Sequence, residues 1–363
     1  MAFPLTSPAP PGGKWKIAII GSGNWGSAIA RLIGINVQAK PQLFDPEVKM
    51  SQPHLRDHWR AFTLAFKGRS LVQQFNESHE NVKYLPGIKI PHCVVAEADL
   101  VRSVQGANAL VFVTPHAFVP GVCKQLRGKV DPNCRALSLV KGVEVSAEHI
   151  SIFAQVIEEQ LGIPCGALSG ANIADEVARD AFGETTIACK DQQEGQRWYE
   201  AFHTPTFHVQ ITDDVVGVSL AGALKNVVAI AAGACDGLGW GNNAKAAIMR
   251  IGLLEMRKFA LEFFDTARPE TFVYSSAGIA DLITSCLGGR NRKCGEAFVK
   301  TGKSFYVLER EMLNGQKLQG VQTAKEVHEF LKARGRIDSY PLFHAVYNIA
   351  YEGLPPAKLT AHL

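Results

Sequence analysis

The chain has 363 residues, of which 47% are hydrophobic and 20% are charged, and its formal net charge is +4. This length favours two domains, because a single core stops growing efficiently beyond about 250 to 300 residues. The small net charge is spread along the chain, which argues against a nucleic-acid-binding protein. The sequence has no apolar run of the roughly 18 residues that a membrane span requires, so no membrane span is predicted. Eight scattered cysteines without a C-x-x-C pair predict reduced thiols in a cytosol-like compartment.

The pattern of elements divides the chain in two. Residues 1–13 contain four prolines and two glycines and predict a flexible tail. Apolar strand-like runs then alternate with helical periods, which predicts an α/β domain with a mostly parallel sheet over residues 14–211. The predicted strands cover residues 14–20, 108–114, 136–141, 165–168 and 185–189, and residues 146–161 carry a helical period. After about residue 211 the pattern is helical, so residues 212–363 predict a mainly α-helical second domain, with helices over 215–235, 244–264, 277–287, 294–301, 323–333 and 342–351.

A glycine motif lies between the first predicted strand and the first predicted helix. It reads Gly21-Ser22-Gly23-Asn24-Trp25-Gly26, which fits G-x-G-x-x-G. In this context the first glycine makes the tight turn, the second lets a pyrophosphate approach the backbone, and the third lets the helix pack closely on the strand. The motif predicts a Rossmann-type domain that binds a dinucleotide, with a purely structural turn as the alternative.

The residue that would bind the hydroxyls of the adenosine ribose is harder to identify. It is usually an acid at the end of the second strand, about 20 residues beyond the glycines. Residues 44–47 contain Asp45 and Glu47 at that distance, but no convincing strand leads into them, and residues 49–67 show no clean strand with a terminal acid. His54 and His58 in that stretch are interpreted as a solvated helix face, and no metal site is expected.

Three charged residues predict a catalytic centre. Lys225 stands in a helix that is apolar on nearly every side, so its ammonium should either be paired or face a polar cleft, where it suits proton donation to a carbonyl. Lys141 ends an apolar strand at the carboxyl edge of the sheet, where ligands bind. Asp281 is an isolated acid that needs a cation, either Lys225 or Lys141, and the hydroxyls of Thr284 and Ser285 follow it by one helical turn. A snorkelling lysine, an exposed loop lysine and helix-capping hydroxyls are the structural alternatives.

A basic cluster follows at residues 288–293, Gly-Gly-Arg-Asn-Arg-Lys. Two glycines next to Arg290 permit close backbone approach to a bidentate donor, which is typical of a phosphate-binding site. A solvated charge run or a nucleic-acid patch is the alternative. Phe118, in the loop after the strand at 108–114, is either a cofactor contact or ordinary core.

Taken together, these motifs resemble the eukaryotic NAD-dependent glycerol-3-phosphate dehydrogenases over nearly the whole chain. The resemblance rests on GSGNWGSAIA (21–30), HENVKYLPG (79–87), GANIADEVA (170–178), GALKNVVA (222–229), ADLITSCLGGRNRK (280–293) and NGQKLQG (314–320). It implies an NAD-dependent enzyme that interconverts dihydroxyacetone phosphate and sn-glycerol 3-phosphate. It also implies a Rossmann-type domain followed by a helical domain that forms a homodimer.

The resemblance also implies roles for single residues. Lys225 would donate the proton and Lys141 would lie beside the substrate, with Asn226, Asp281 and Thr284 completing the pocket around the carbonyl. Arg290 and Asn291 would grip the phosphate. The residues that would contact NAD are the glycine loop, Phe118, Ala174, Arg290, Lys317 and Gln319.

Two features qualify this interpretation. Where the family carries a second strand of the type W-V-F-E-E, the sequence departs over residues 50–63, with Phe62 as the equivalent of the family's aromatic. This departure leaves a catalytically impaired NAD sensor or scaffold as the alternative function. The expected location is cytoplasmic, and the last residues, Ala361-His362-Leu363, match the form of a peroxisomal or glycosomal C-terminal address.

Overall fold

A computed structural model describes residues 13–51, 70–145, 149–313 and 317–363. The predicted tail therefore lies outside the described residues, apart from Gly13. So do His54, His58 and Phe62.

The first half of the chain builds one large, mostly parallel sheet, as predicted. Within the described residues it has eight strands in the order β10-β9-β8-β5-β4-β1-β2-β3, and the only antiparallel pair among them is β8 with β9. A separate hairpin joins β6 to β7. The strands are β1 (Ile17–Ile20), β2 (Val48–Ser51), β3 (Val94–Glu97), β4 (Ala109–Phe112), β5 (Arg135–Ser138), β6 (Val143–Val145), β7 (Ile150–Ile152), β8 (Cys165–Ser169), β9 (Gly183–Ala188) and β10 (Phe207–Thr212).

Helices cover the sheet and form the second half of the chain. The central strands are buried on both faces and therefore read as continuous apolar runs, as in β1 and β4. The helices are α1 (Asn24–Ala39), α2 (Leu71–Ser78), α3 (Leu100–Val104), α4 (Val119–Leu126), α5 (Phe153–Leu161), α6 (Ala174–Ala178), α7 (Gln192–Phe202), α8 (Val215–Leu238), α9 (Gly241–Phe263), α10 (Pro269–Tyr274), α11 (Asp281–Gly288), α12 (Arg290–Thr301), α13 (Phe305–Leu313), α14 (Gln319–Ala333) and α15 (Pro341–Tyr351).

Residues 49–67 were expected to hold no clean strand with a terminal acid, and the structure shows a short strand, β2, at the start of this stretch. β2 runs from Val48 to Ser51 and pairs in parallel with β1 on one side and β3 on the other. This strand has only four residues, VKMS, and is too short and too mixed in polarity to show either an apolar run or an alternation of apolar and polar residues. The sheet therefore has its second strand, which within the described residues ends in Ser51 and carries no terminal acid.

Other elements also differ from the prediction. β3 and β10 were not predicted. β10 alternates buried Phe207 and Val209 with exposed His208 and Gln210, which is the pattern of a half-covered edge strand rather than of a central one. The helix predicted over residues 146–161 begins later in the structure. Residues Ile150–Ile152 form β7, and the helix begins only at Phe153.

The core of the second half is α8, which the other helices surround. Asp214 caps its first turn by accepting a hydrogen bond from the Gly217 N–H at 2.7 Å, and Gly239 ends it in a left-handed conformation with φ +70°. By length and composition α8 could cross a membrane, but 94% of its apolar 18-residue stretch is buried within this fold. That is the environment of a central core helix.

Two glycines allow α8 and α12 to lie unusually close together. A Cβ on Gly233 would overlap the Arg292 carbonyl oxygen and lie 2.9 Å from the Glu296 nitrogen. Conversely, a Cβ on Gly295 would lie 2.6 Å from the Ile230 carbonyl oxygen. The backbones are in direct contact, so α12 is fixed against the helix that carries Lys225.

We expect Gly233→Ala to lower the free energy of unfolding by about 1 to 3 kcal/mol, because the added methyl group overpacks a backbone contact. Urea unfolding measures the change. The matched control is Gly121→Ala in α4, where a Cβ meets nothing within 4 Å, and which should leave stability unchanged or raise it by about 0.5 to 1 kcal/mol. Equal stability of the two variants would contradict the close approach.

Candidate active site

The glycine loop has the geometry that a dinucleotide requires. Gly21 adopts φ +128°, and a Cβ there would lie 2.7 Å from the Val113 carbonyl oxygen. A Cβ on Gly26 would overlap the Gly21 carbonyl oxygen, whereas one on Gly23 would meet nothing within 4 Å. The loop is thus packed tightly on its protein side and open where a pyrophosphate would approach. Since α1 begins at Asn24, the N–H groups of its first turn are available beside that opening.

Asn81 holds this loop in place, and sequence reasoning gave it no role. Its Nδ2 donates to the Ser22 carbonyl oxygen at 2.9 Å and to Ser27 Oγ at 2.8 Å. Because Asn81 belongs to HENVKYLPG, that motif connects a distant segment to the loop. The only sequence signal for this role was the motif itself.

Two further predicted cofactor residues lie at the same edge. Ala174, the first residue of α6, packs against the small cluster of Ala28, Leu85 and Ala178, against which Trp25 of the glycine loop also packs. Phe118 ends the short helical turn after β4, and 44% of its surface is exposed. That exposure separates Phe118 from ordinary core and leaves its ring accessible at the carboxyl edge of the sheet.

The two lysines predicted to be catalytic meet at one buried carboxylate. Lys225 and Asp281 are only 4% and 2% exposed. The Lys225 ammonium donates to Asp281 Oδ1 and to Ser285 Oγ, the latter at 2.7 Å, while the Lys141 ammonium lies 3.2 Å from Asp281 Oδ2. Both lysines that the sequence offered as partners of Asp281 therefore contact it.

The second half of the chain brings Asp281 to the sheet. A π-helical turn, Ser276–Ala280, precedes α11 and anchors it, because Ser276 Oγ donates to the Glu184 carbonyl at 2.9 Å and accepts from the Ala171 N–H at 3.2 Å. Ser169 Oγ, at the end of β8, donates to Asp281 Oδ2 at 3.3 Å. The site is thus built across the junction of the sheet and the helices.

Burial sets the electrostatics of the site. Burial lowers the pKa of Lys225, the Asp281 carboxylate opposes this shift and the positive charge of Lys141 adds to it, and the net pKa is about 7. A lysine in this setting exchanges its proton near neutral pH, which is the property required of a general acid.

A histidine supports the turn that carries Lys141. Gly142 adopts φ +127°, and a Cβ there would lie 3.0 Å from Nδ1 of the buried His116. Nε2 of His116 lies 3.7 Å from Glu326 Oε1 in α14. Burial lowers the pKa of His116 and raises the pKa of Glu326 to about 7, so the pair favours neutral forms. The sequence analysis missed both residues because they are 210 positions apart.

A second network lies next to Lys225 on α8. Asn291 Nδ2 donates to Asn226 Oδ1 at 3.0 Å, and Asn291 Oδ1 accepts from the Gly320 N–H at 2.9 Å. Asn226 Nδ2 is 3.5 Å from Gln319 Oε1. The structure therefore brings Asn226, Asn291 and Gln319 together from three helices. Arg290, the first residue of α12, adjoins this network.

Other predicted residues lie at the margin. Thr284 is partly exposed, and the hydroxyl that contacts Lys225 is that of Ser285. The Lys317 ammonium pairs with Glu309 at 2.8 Å and is largely exposed. Asn172, in the GANIADEVA motif, was given no role, yet among the described residues neither polar atom of its buried amide has a hydrogen-bond partner. Such an amide is suited to a ligand.

No group of His, Cys, Asp and Glu side chains in the described part of the chain is arranged to hold a metal ion. The eight cysteines are free thiols, and seven of them are buried. Burial raises the pKa of the Cys134 and Cys286 thiols to about 12, so these two are not nucleophiles at neutral pH.

A parallel sheet with an intact dinucleotide loop, joined to helices that place two lysines on one buried carboxylate, defines a dehydrogenase of the two-domain, nicotinamide-dependent class. Comparison with known proteins names the family. Models of the N-terminal and C-terminal parts of NAD-dependent glycerol-3-phosphate dehydrogenase match residues 16–195 and 214–361. The chain belongs to the NAD-dependent glycerol-3-phosphate dehydrogenase family.

Individual relatives match over almost the whole chain. NAD-dependent glycerol-3-phosphate dehydrogenase 1 of Schizosaccharomyces pombe is 51% identical over 354 residues, covering 95% of this chain and 89% of that protein. The cytoplasmic enzyme of Rattus norvegicus is 50% identical over 340 residues, covering 94% of this chain and 95% of that protein. The solved glycerol-3-phosphate dehydrogenase of Saccharomyces cerevisiae superposes with a TM-score of 0.87 at 44% identity, covering 96% of this chain and 99% of that one.

The lowered pKa of Lys225 has a consequence for stability. Its folded-state pKa of about 7 lies below the ordinary value of about 10.4, so between these values the unfolded chain binds more protons at this group. The free energy of unfolding should therefore rise with pH through that window. Relative to Lys225→Met, we expect a gain of up to about 1.4 kcal/mol per pH unit between about pH 7.5 and 9, measured by urea unfolding. Parallel pH curves for the two proteins would show an ordinary lysine.

Proposed function

We propose that this protein interconverts dihydroxyacetone phosphate and NADH with sn-glycerol 3-phosphate and NAD. The observation that carries the proposal is the contact of Lys225 and Lys141 with the one carboxylate of Asp281, at the edge of the sheet that also carries the glycine loop. The relatives are named for this activity. The direct test is the oxidation of NADH with dihydroxyacetone phosphate, followed by absorbance.

The lysines supply the proton chemistry of the proposal. In the reducing direction the Lys225 ammonium donates a proton to the carbonyl oxygen of the substrate, and bound NADH supplies the hydride. Asp281 orients Lys225, and Lys141 adds a second positive charge that stabilises the negative charge developing on that oxygen. Asn226 and Thr284 complete this pocket. The low pKa of Lys225 lets the same group take the proton back in the oxidising direction.

The other half of the proposed substrate is its phosphate. Arg290 and Asn291 stand at the first turn of α12, where free N–H groups and the positive end of the helix dipole favour an anion. Asn291 links this turn to Asn226, next to Lys225. A three-carbon phosphate is therefore a suitable ligand, with its carbonyl at the lysines and its phosphate at Arg290.

The cofactor in this proposal is NAD, which the glycine loop, Phe118 and Ala174 would contact. Lys317 precedes α14 and Gln319 is its first residue, and both would approach the cofactor from the helical side. The alternative is an NAD-binding sensor without activity. A pure binding protein has no requirement for two lysines on a buried carboxylate, so the assembled constellation favours the enzyme.

We further propose a homodimer in the cytoplasm. Exposed Tyr274, Leu287 and Tyr306 of the helical half offer apolar surface to a second copy. Relatives are named as cytoplasmic enzymes.

Lys225→Met tests the proton donor. We expect the variant to fold and bind NADH but to lose about 10² to 10⁴ in kcat, the usual contribution of a general acid. The apolar methionine suits its buried position, so fluorescence titration with NADH should be close to that of the wild type. Near-normal turnover would remove Lys225 from the mechanism.

Arg290→Ala tests the phosphate site. Charge-assisted hydrogen bonds contribute about 1.5 to 3 kcal/mol, so the preference for dihydroxyacetone phosphate over dihydroxyacetone, as a ratio of kcat/KM values, should fall at least about tenfold. Lys293→Ala, which removes an exposed positive charge on the same helix, is the control and should keep the preference. An unchanged preference in Arg290→Ala would place the phosphate elsewhere.

A further inference from the structure

The second strand of the sheet ends without the acid that usually reads the adenosine ribose. Ser51, its last residue, is buried, and its Oγ accepts a hydrogen bond from Ser103 Oγ at 3.0 Å. The Ser51 carbonyl oxygen accepts from the Gly21 N–H at 2.7 Å, so the end of β2 is level with the start of the glycine loop. Among the described residues, an acid that serves the ribose therefore has to come from another element.

The neighbouring strand carries an acid to that level. β3 runs parallel to β2, and Glu97, its last residue, is the register partner of Ser51. Adjacent strands lie about 4.8 Å apart, so Glu97 is displaced from the usual position by a single strand. Its Oε1 accepts from the Asp99 N–H at 2.9 Å, and a carboxylate has about four acceptor positions, which leaves capacity for a ligand hydroxyl.

One cleft joins Glu97 to the glycine loop. Ser22 of the glycine loop and Glu97 of β3 both line it. Between them the wall is mostly apolar and includes Met50, Phe75 and Tyr84. A mostly apolar cleft with a few polar groups at its ends is typical of a site for a flat organic ligand. The polarity of this lining therefore matches the adenosine half of a dinucleotide whose pyrophosphate lies on the glycine loop.

The other acids near the second strand are less suitable. Asp45 lies before β2, at the opposite end of the sheet, where its N–H donates to the Trp15 carbonyl at 2.8 Å. Glu80 lines the cleft, but its carboxylate already accepts from the Gly87 N–H at 2.9 Å and pairs with Lys89 at 3.2 Å. Asp57 lies outside the described residues.

We propose that Glu97 takes over the role of the missing acid of β2: its carboxylate accepts hydrogen bonds from the adenosine ribose hydroxyls and makes the site prefer NAD to NADP. The preference follows because a 2′-phosphate would meet a negative charge at this position. The proposal rests on the assignment of a nicotinamide dinucleotide as the cofactor.

The test compares binding of three ligands to Glu97→Gln and to the wild type by calorimetry. Glutamine keeps the oxygen that caps the Asp99 N–H, so the fold should be retained. We expect NADH to bind at least about tenfold more weakly, since a charge-assisted hydrogen bond is lost. Reduced nicotinamide mononucleotide, which has no adenosine, should bind equally to both proteins. The difference in affinity between NADH and NADPH should narrow, and Glu97→Arg should narrow it further.

Glu47→Gln is the control, because Glu47 is a partly exposed acid that precedes β2, at the end of the strand opposite to Ser51. This variant should bind all three ligands as the wild type does. Unchanged NADH affinity in Glu97→Gln would overturn the proposal. So would an equal loss for the mononucleotide, which would show that Glu97 acts only on the fold. These readouts are independent of turnover, so an inactive wild type that binds NADH would reject the proposed reaction and leave the assignment of Glu97 standing.

Discussion

The buried carboxylate of Asp281 is the constraint on which the site depends. Two ammonium groups from different parts of the chain cannot lie together in a protein interior without an anion between them. Lys225 comes from the central helix α8, Lys141 from the loop after β5, and Asp281 from the first turn of α11. The carboxylate therefore joins the sheet to the helices and at the same time fixes the geometry of the proposed proton donor.

The packing of helices in the second half of the chain also fixes the geometry around Lys225. Gly233 and Gly295 let α8 and α12 touch through their backbones, and this contact holds the start of α12 at a fixed distance from Lys225. Asn291 then links α12 to α8 and to the start of α14 through Asn226 and Gly320. A phosphate site and a proton donor that act on one small substrate need this rigidity, because a small misplacement of reacting groups is costly to the rate.

On the cofactor side, the short strand β2 is present in the structure although the sequence pattern does not reveal it. β2 has four residues and no alternating pattern, but its neighbours β1 and β3 fix its position and register. The departure from W-V-F-E-E therefore does not remove the strand from the described part of the sheet. Membership of the NAD-dependent glycerol-3-phosphate dehydrogenase family is compatible with this change, because the glycine loop does not depend on the acid.

The sequence by itself determined the features that local chemistry encodes. The continuous apolar runs of β1 and β4, the glycine loop and the isolated lysine of α8 are legible in this way, because burial on both faces and glycine geometry leave a direct mark on composition. Tertiary structure decided which distant groups meet. His116 lies against Glu326, Ser285 rather than Thr284 contacts Lys225, Asn81 holds Ser22, and Glu97 comes level with Ser51. These contacts join residues far apart in the chain or depend on strand register and helix rotation, and no local pattern of residues specifies either.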